Sequence, residues 1–183
     1  MQDQRAELEW RAGGVPVSVR FDDPYFSLDN GLDETRHVFL GGNDLPARFR
    51  DGFRIAELGF GTGLNFLTTW AAWRAAGVAG AFHFTSFEAF AMEHGDMAAA
   101  LQAFPELDAF AGALIDGLGD DGRATFEDAT LEVIAGDARD MLPAWEGRAD
   151  AWYLDGFSPA KNPEMWGEDL MAEVARHTVS LGT

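Results

Sequence analysis

Cysteine is absent from the chain, which excludes disulfides, thiolate zinc sites and cysteine nucleophiles together. Positive charge is scarce. Lys and Arg number 13 against 31 Asp and Glu, for a formal net charge of −18, and residues 75–122 contain neither Lys nor Arg. A surface of that sign repels a phosphate backbone, so any nucleic acid has to dock elsewhere. Lysine occurs once, at Lys161. No stretch approaches the ~18 uncharged apolar residues of a spanning helix, and the opening MQDQRAELEW lacks the apolar centre of a signal peptide. A cytoplasmic protein without membrane contact is expected. His37, His83, His94 and His177 show neither HxxxH nor HExxH spacing, so no metal site is expected either.

With 183 residues, 47% of them hydrophobic and spread along its length, the chain has material for one sizeable core, and a single compact unit is the expectation. Residues 36–54 depart from the acidic average: Arg36, Arg48, Arg50 and Arg54 face only Asp44 and Asp51. A docking patch and a solvated arginine-rich loop are both open readings.

Alternation in VPVSVRF, residues 15–21, followed by the turn-rich DDPYFSLDNG, predicts a β-rich arm over residues 1–53. From residue 54 the pattern becomes strand, glycine turn, helix. IAELGF is followed by a helix from about Leu64 to Ala76, with Leu67, Trp70 and Trp73 on its inner face and Gly77 and Gly80 beyond its end. FHFTSFEAF (82–90), TLEVIAGDA (130–138) and DAWYLDGF (150–157) read as further strands. A helix carrying Met97, Leu101 and Phe104 follows the first of these. Such alternation implies an α/β, Rossmann-like core over residues 54–183, with a parallel sheet and ligands at the strand C-terminal ends.

The turn between the first core strand and its helix carries the strongest chemical signal. Gly59, Gly61 and Gly63 allow a tight turn and close approach to a ligand, and the following helix offers free N–H groups. A dinucleotide fingerprint needs Gly or Ala where Leu64 stands, and no GxxxxGK[ST] occurs. S-adenosylmethionine fits better than NAD or ATP, because an acid at the first strand tip, Glu57, can receive its ammonium directly or through water. Four successive strands end in acids: Glu57, Glu88, Asp137 and Asp155. Glu88 is placed to accept the ribose hydroxyls and Asp137 the adenine amine. Asn65 and Ala138, adjoining the turn and the third tip, complete the expected cofactor set. For any one acid alone, a helix or turn cap is the better reading; their joint placement favours a site.

Three segments, YFSLDNGLDETRHVFLGGN (25–43), ELGFGTGLNFL (57–67) and DGFSPAKNPEMW (155–166), carry a specific resemblance. The chain resembles the methyltransferase half of the bacterial bifunctional enzymes that make 5-methylaminomethyl-2-thiouridine in tRNA. The likeness runs from about Phe21 to the end and is weakest between Ala91 and Thr130. It implies a class I fold and methyl transfer from S-adenosylmethionine to the primary amine of an aminomethyl group on the wobble uridine of tRNA. Asp155 is then the catalytic candidate, holding the amine and taking its proton. Phe157 and Pro159 are candidates for an apolar wall against an extruded base, and Lys161 for a phosphate contact. Tyr25, Phe26, Asn30, Gly31 and Glu34 match the upstream motif, which the resemblance places over the cofactor and at the pocket entrance. Members of that family continue into strands that finish a seven-stranded sheet and carry a C-terminal flavin-dependent oxidase. About four core strands and a sheet truncated at its C-terminal side are therefore expected here, and no second dinucleotide fingerprint is present. A small-amine methyl or aminopropyl transferase, which the acidic surface suits, and a non-catalytic cofactor-binding module are the competing readings.

Overall fold

A computed structural model describes residues 4–183. The arm begins with a three-stranded antiparallel sheet, β1 (Leu8–Arg11), β2 (Val15–Ser18) and β3 (Asp23–Pro24). Strands were expected there. Residues 31–43 depart from the β-rich expectation, folding as the short helix α1 (Gly31–Thr35) and two tighter or wider helical turns, Arg36–Leu40 and Gly41–Asn43. Burial drives this: Leu32, Thr35 and Leu40 fall three to five residues apart and all turn inward against the core.

The core sheet comprises β4 (Arg54–Leu58), β5 (Phe82–Glu88), β6 (Arg123–Thr125), β7 (Ala129–Ala135) and β8 (Ala151–Leu154), in the order β6-β7-β5-β4-β8. The four expected strands run parallel. β6, too short to carry an alternation signal, pairs antiparallel with β7. The chain leaves β4 first toward β5 and β7 and later returns to β4's other side as β8, so the strand order reverses between β4 and β8. In open α/β sheets ligands collect in the crevice at such a reversal.

Helix α2 (Leu64–Ala76) covers one face with α3 (His94–Leu101) and α4 (Asp108–Gly117). Its Phe66, Leu67, Trp70 and Trp73 pack with Phe82, Phe84 and Tyr153 in the larger core cluster. The helix stops where Gly77 takes up φ +65°. The other face is closed by α5 (Ala138–Met141), the turn Leu142–Ala144 and α6 (Glu168–Arg176), whose Ala138, Leu142 and Leu170 pack on Ala56, Leu58, Phe87 and Trp152. Among the described residues no single helix is long and apolar enough to cross a membrane.

The arginines of residues 36–54 all have partners within the chain, although Arg36, Arg50 and Arg54 stay about half exposed. Asp150, 2% exposed, takes the Arg54 amide at 2.9 Å and the Arg50 guanidinium at 2.8 Å. Arg48 donates to the carbonyls of Asn43 and Asp150, while Arg36 pairs with Asp33 and Glu106. The contacts of Arg48, Arg50 and Arg54 tie the residues before β4 to Asp150, just before β8.

Candidate active site

The C-terminal ends of β4, β5, β7 and β8 open onto a cavity of about 670 Å³, within the range of cofactor and small-molecule sites. Of the expected residues, Gly59, Gly61, Asn65, Glu88, Asp137, Ala138, Asp155, Phe26, Glu34 and Phe157 line it.

Backbone geometry accounts for the glycines. Gly59 has φ +90°, and a Cβ there would lie 2.8 Å from the Asp155 carbonyl oxygen. Gly61 has φ +55°, and its Cβ would press on the Tyr25 ring at 3.0 Å. Any larger residue would fill the cradle or force β4 and β8 apart. Gly63 serves packing instead. It lies behind the cavity wall, where a Cβ would strike Leu114 at 2.9 Å, and so allows α2 to pack against α4.

The acids do not form one row. Sheet register pairs Leu58 with Phe87 and Leu154, which puts Glu88 at the last position of β5 and Asp155 just beyond β8, whereas Glu57 pairs with Ser86 and Tyr153 inside the sheet. Glu57 is accordingly 0% exposed and stands behind the cavity wall, not among the lining residues. Burial holds its carboxyl well above the usual range, the nearby Asp155 carboxylate adds to that, and the hydrogen bond from Asn65 offsets it in part. Glu57 is linked to the site through Asn65, whose Nδ2 donates to Glu57 Oε1 at 2.8 Å and to Asp155 Oδ2 at 2.6 Å.

Asp155 itself is exposed by surface area, through the mouth of the cavity, yet protein atoms crowd its carboxyl. That low-dielectric setting pushes its carboxyl up to about 6; the Asn65 amide pulls it down and the charge of Glu34 adds to the rise. Water entering the cavity moderates the effect, and a ligand displacing that water strengthens it. Glu88 spans the glycine turn, accepting the Gly61 amide at 2.9 Å and the Phe90 amide at 2.8 Å. Burial raises its carboxyl above the ordinary value despite those amides. Asp137 follows β7 rather than ending it, and caps α5 by accepting the Arg139 amide at 2.9 Å. The Arg139 guanidinium grips the same carboxylate and holds it below its ordinary value. The bland role of a helix cap therefore applies to Asp137 even as it lines the cavity.

Phe157 stacks on Phe21 and meets the edge of Tyr25, forming one aromatic wall. Pro159, Lys161 and Asn30 stand outside it. Pro159 is exposed, Lys161 is held by Asp22 at 3.0 Å, and the Asn30 carbonyl accepts the Glu34 amide at the start of α1. Several lining residues escaped sequence reasoning, among them Arg20, Thr35 and Arg139. The Asp-x-Arg spacing of Asp137 and Arg139 signals the last; nothing local signals Thr35. Arg20 lies over the rings of Phe90 and Phe21 at 4.7 and 5.7 Å and, among the described residues, is the lining cation without a carboxylate partner.

Residues 118–183 match the S-adenosyl-L-methionine-dependent methyltransferase family. Over those residues the chain is similar to that family. Over 98% of its length it is 47% identical to a curated relative from Pseudomonas syringae pv. syringae, the "tRNA 5-methylaminomethyl-2-thiouridine biosynthesis bifunctional protein MnmC". Over 97% it is 47% identical to a protein of the same name from Aeromonas salmonicida. The chain spans 29% and 30% of the lengths of these relatives. The fold is that of the crystal structure of MNMC2 from Aquifex aeolicus, with a TM-score of 0.74 at 24% identity, covering 99% of this chain and 59% of that one. For an S-adenosyl-L-methionine-dependent methyltransferase the donor set fits: the Gly59 and Gly61 cradle is one a Cβ would fill, and Glu88 stands at its rim.

Proposed function

We propose that this chain methylates the primary amine of the aminomethyl group on the wobble uridine of tRNA, yielding 5-methylaminomethyl-(2-thio)uridine. The observation that carries this reading is the position of Asp155, a cavity-facing carboxylate at the strand-order reversal with the Phe157 wall in the same loop. The names of the 47% identical relatives support the substrate class.

S-adenosylmethionine, when bound, supplies a methyl group already activated on sulfonium. The protein's share is to seat it, orient an amine and keep water out. Gly59 and Gly61 form the seat, and Glu88 offers a carboxylate to ribose hydroxyls. Asp155 accepts an N–H of the amine, aims its lone pair and takes up the released proton. With its carboxyl at about 6, Asp155 is mostly ionised at neutral pH and still basic enough to receive that proton. The wall of Phe21, Tyr25 and Phe157 receives a base that has left its stack. Arg20 offers an adjacent cation for phosphate, a role Lys161 is less free to take. By the family resemblance, the enzyme works in the cytoplasm on an amine prepared by the flavin-dependent oxidase of the same bifunctional proteins.

The acidic lining, with Asp23, Glu34, Glu88, Asp137, Asp155 and Glu164 against Arg20 and Arg139, favours a second reading in which a small free amine is the acceptor. Transfer of labelled methyl from S-adenosylmethionine, to tRNA carrying aminomethyluridine in one arm and to free polyamines in the other, separates the two. Label recovered as methylaminomethyluridine supports the tRNA reading; label on polyamine alone replaces it.

A further inference from the structure

Asn65 is the second residue of α2 and 5% exposed, and every polar atom of its side chain is engaged. One amide hydrogen points at Glu57, the other at Asp155, and its Oδ1 lies 3.1 Å from the Thr35 hydroxyl, whose single hydrogen it shares with the Gly31 carbonyl. An amide has two donors and one acceptor oxygen, so this side chain keeps no hydrogen for a cofactor. The arrangement runs from the interior of the sheet to the cavity: Glu57 behind, Asn65 between, Asp155 in front.

We propose that Asn65 is a positioning residue for Asp155, fixing one carboxylate oxygen with one amide hydrogen while its other hydrogen is anchored on the buried Glu57. The inference deepens the methyltransferase reading and rests on it for its catalytic consequence. Residue choice follows. Aspartate at this position would put a third carboxylate between two others, and leucine would leave both acids without their donor. With a glycine turn before it and a rigid helix behind it, Asn65 has little freedom to follow Asp155 if that side chain swings. The charge of Glu34 from α1 also acts on Asp155, and Glu88 at the end of β5 lines the same cavity. Without the amide, that charge and the surrounding protein act unopposed on the carboxylate.

The test reads Asp155 directly, by following its carboxyl carbon with NMR through a pH titration of the full chain. In Asn65→Leu the midpoint is expected to rise by roughly one unit. An unchanged or lowered midpoint overturns the proposal. Should Asn65→Leu not fold, Thr35→Val takes its place: it removes only the third anchor and is expected to move the midpoint in the same direction by less, and no movement there also overturns the proposal. In methyl-transfer assays, Asn65→Leu is expected to lower kcat about 10- to 100-fold, with the acid limb of the pH profile displaced upward and KM for S-adenosylmethionine nearly unchanged. A rise in that KM as large as the fall in kcat makes Asn65 a cofactor ligand and overturns positioning. If the wild-type protein transfers no methyl group to tRNA, the functional reading fails on its own, and the titration still decides the structural claim.

Discussion

The ring of Phe157 stacks on that of Phe21 with centroids 4.8 Å apart, and this pair fastens the loop after β8 to the N-terminal arm. The Ser158 amide bonding Asp23 and the Lys161–Asp22 ion pair lie beside it. Both polar contacts are exposed and weak by nature, so the aromatic pair sets the register of the loop.

Replacing Phe157 with alanine removes a stacking partner of Phe21 and an edge contact of Tyr25. A pair of this kind contributes about 0.5–1.5 kcal/mol beyond its area burial. Thermal unfolding is therefore expected to shift only slightly, while kcat/KM for tRNA falls about tenfold or more, because the wall that receives the base is gone. Cofactor affinity, measured by calorimetry, is expected to stay within a few-fold. An unaltered kcat/KM would remove Phe157 from the substrate wall.

Asp155→Ala separates binding from chemistry. Loss of a positioned base is expected to lower turnover by about 10²–10⁴, with a much smaller change in cofactor affinity. In the wild-type protein the Asp155 carboxyl lies at about 6. The working form is the carboxylate, so turnover is expected to fall as pH drops through that value, and the alanine variant to lose that acid limb. Identical pH profiles for the two proteins would exclude Asp155 as the titrating group.

Much of this site is legible in the sequence because it hangs on residues whose type is dictated locally. Gly59 and Gly61 have positive φ, and Asp155 falls at the end of a short apolar strand, so strand, turn and tip are visible without a fold. Register is a different matter. Whether Glu57 stands level with Glu88 or two pairs below depends on how β4 aligns with β5, and that depends on packing across the whole sheet. The same limit applies to Asp137, where Gly136, at φ +138°, turns the chain into α5 two residues after β7 ends. The helical turns of residues 31–43 arise from tertiary burial of Leu32 and Leu40 more than from any periodic signal. Arg48, Arg50 and Arg54 find Asp150 about a hundred residues away, a pairing no local window contains.

Gly59→Ala tests the cradle by its backbone. At φ +90° a non-glycine residue is strained by about 1–3 kcal/mol. The added methyl group also meets the Asp155 carbonyl oxygen at 2.8 Å. The strands β4 and β8 must separate or the turn must open, and either displaces Asp155. Cofactor affinity and turnover are expected to fall together, unlike the split expected for Asp155→Ala. Normal cofactor affinity in Gly59→Ala would show that the turn is not the seat.

Glu57 supplies a test through stability alone. Its carboxyl is raised well above its ordinary value of 4.5, first by burial and then by the Asp155 carboxylate. A group whose pKa is higher in the folded than in the unfolded state favours folding at low pH. As pH rises above about 4.5 the unfolded chain releases this proton while the folded protein keeps it. Stability then declines by about 1.4 kcal/mol per pH unit until the folded carboxyl also ionises. Glu57→Gln carries no titrating proton, retains an oxygen for the Asn65 amide and brings an N–H for the Ser86 hydroxyl, so that decline should vanish. Relative to wild type, the variant is expected to gain melting temperature at pH 8 and to gain little or lose some at pH 5. An equal shift at both pH values would mean that Glu57 ionises as readily in the sheet as in water.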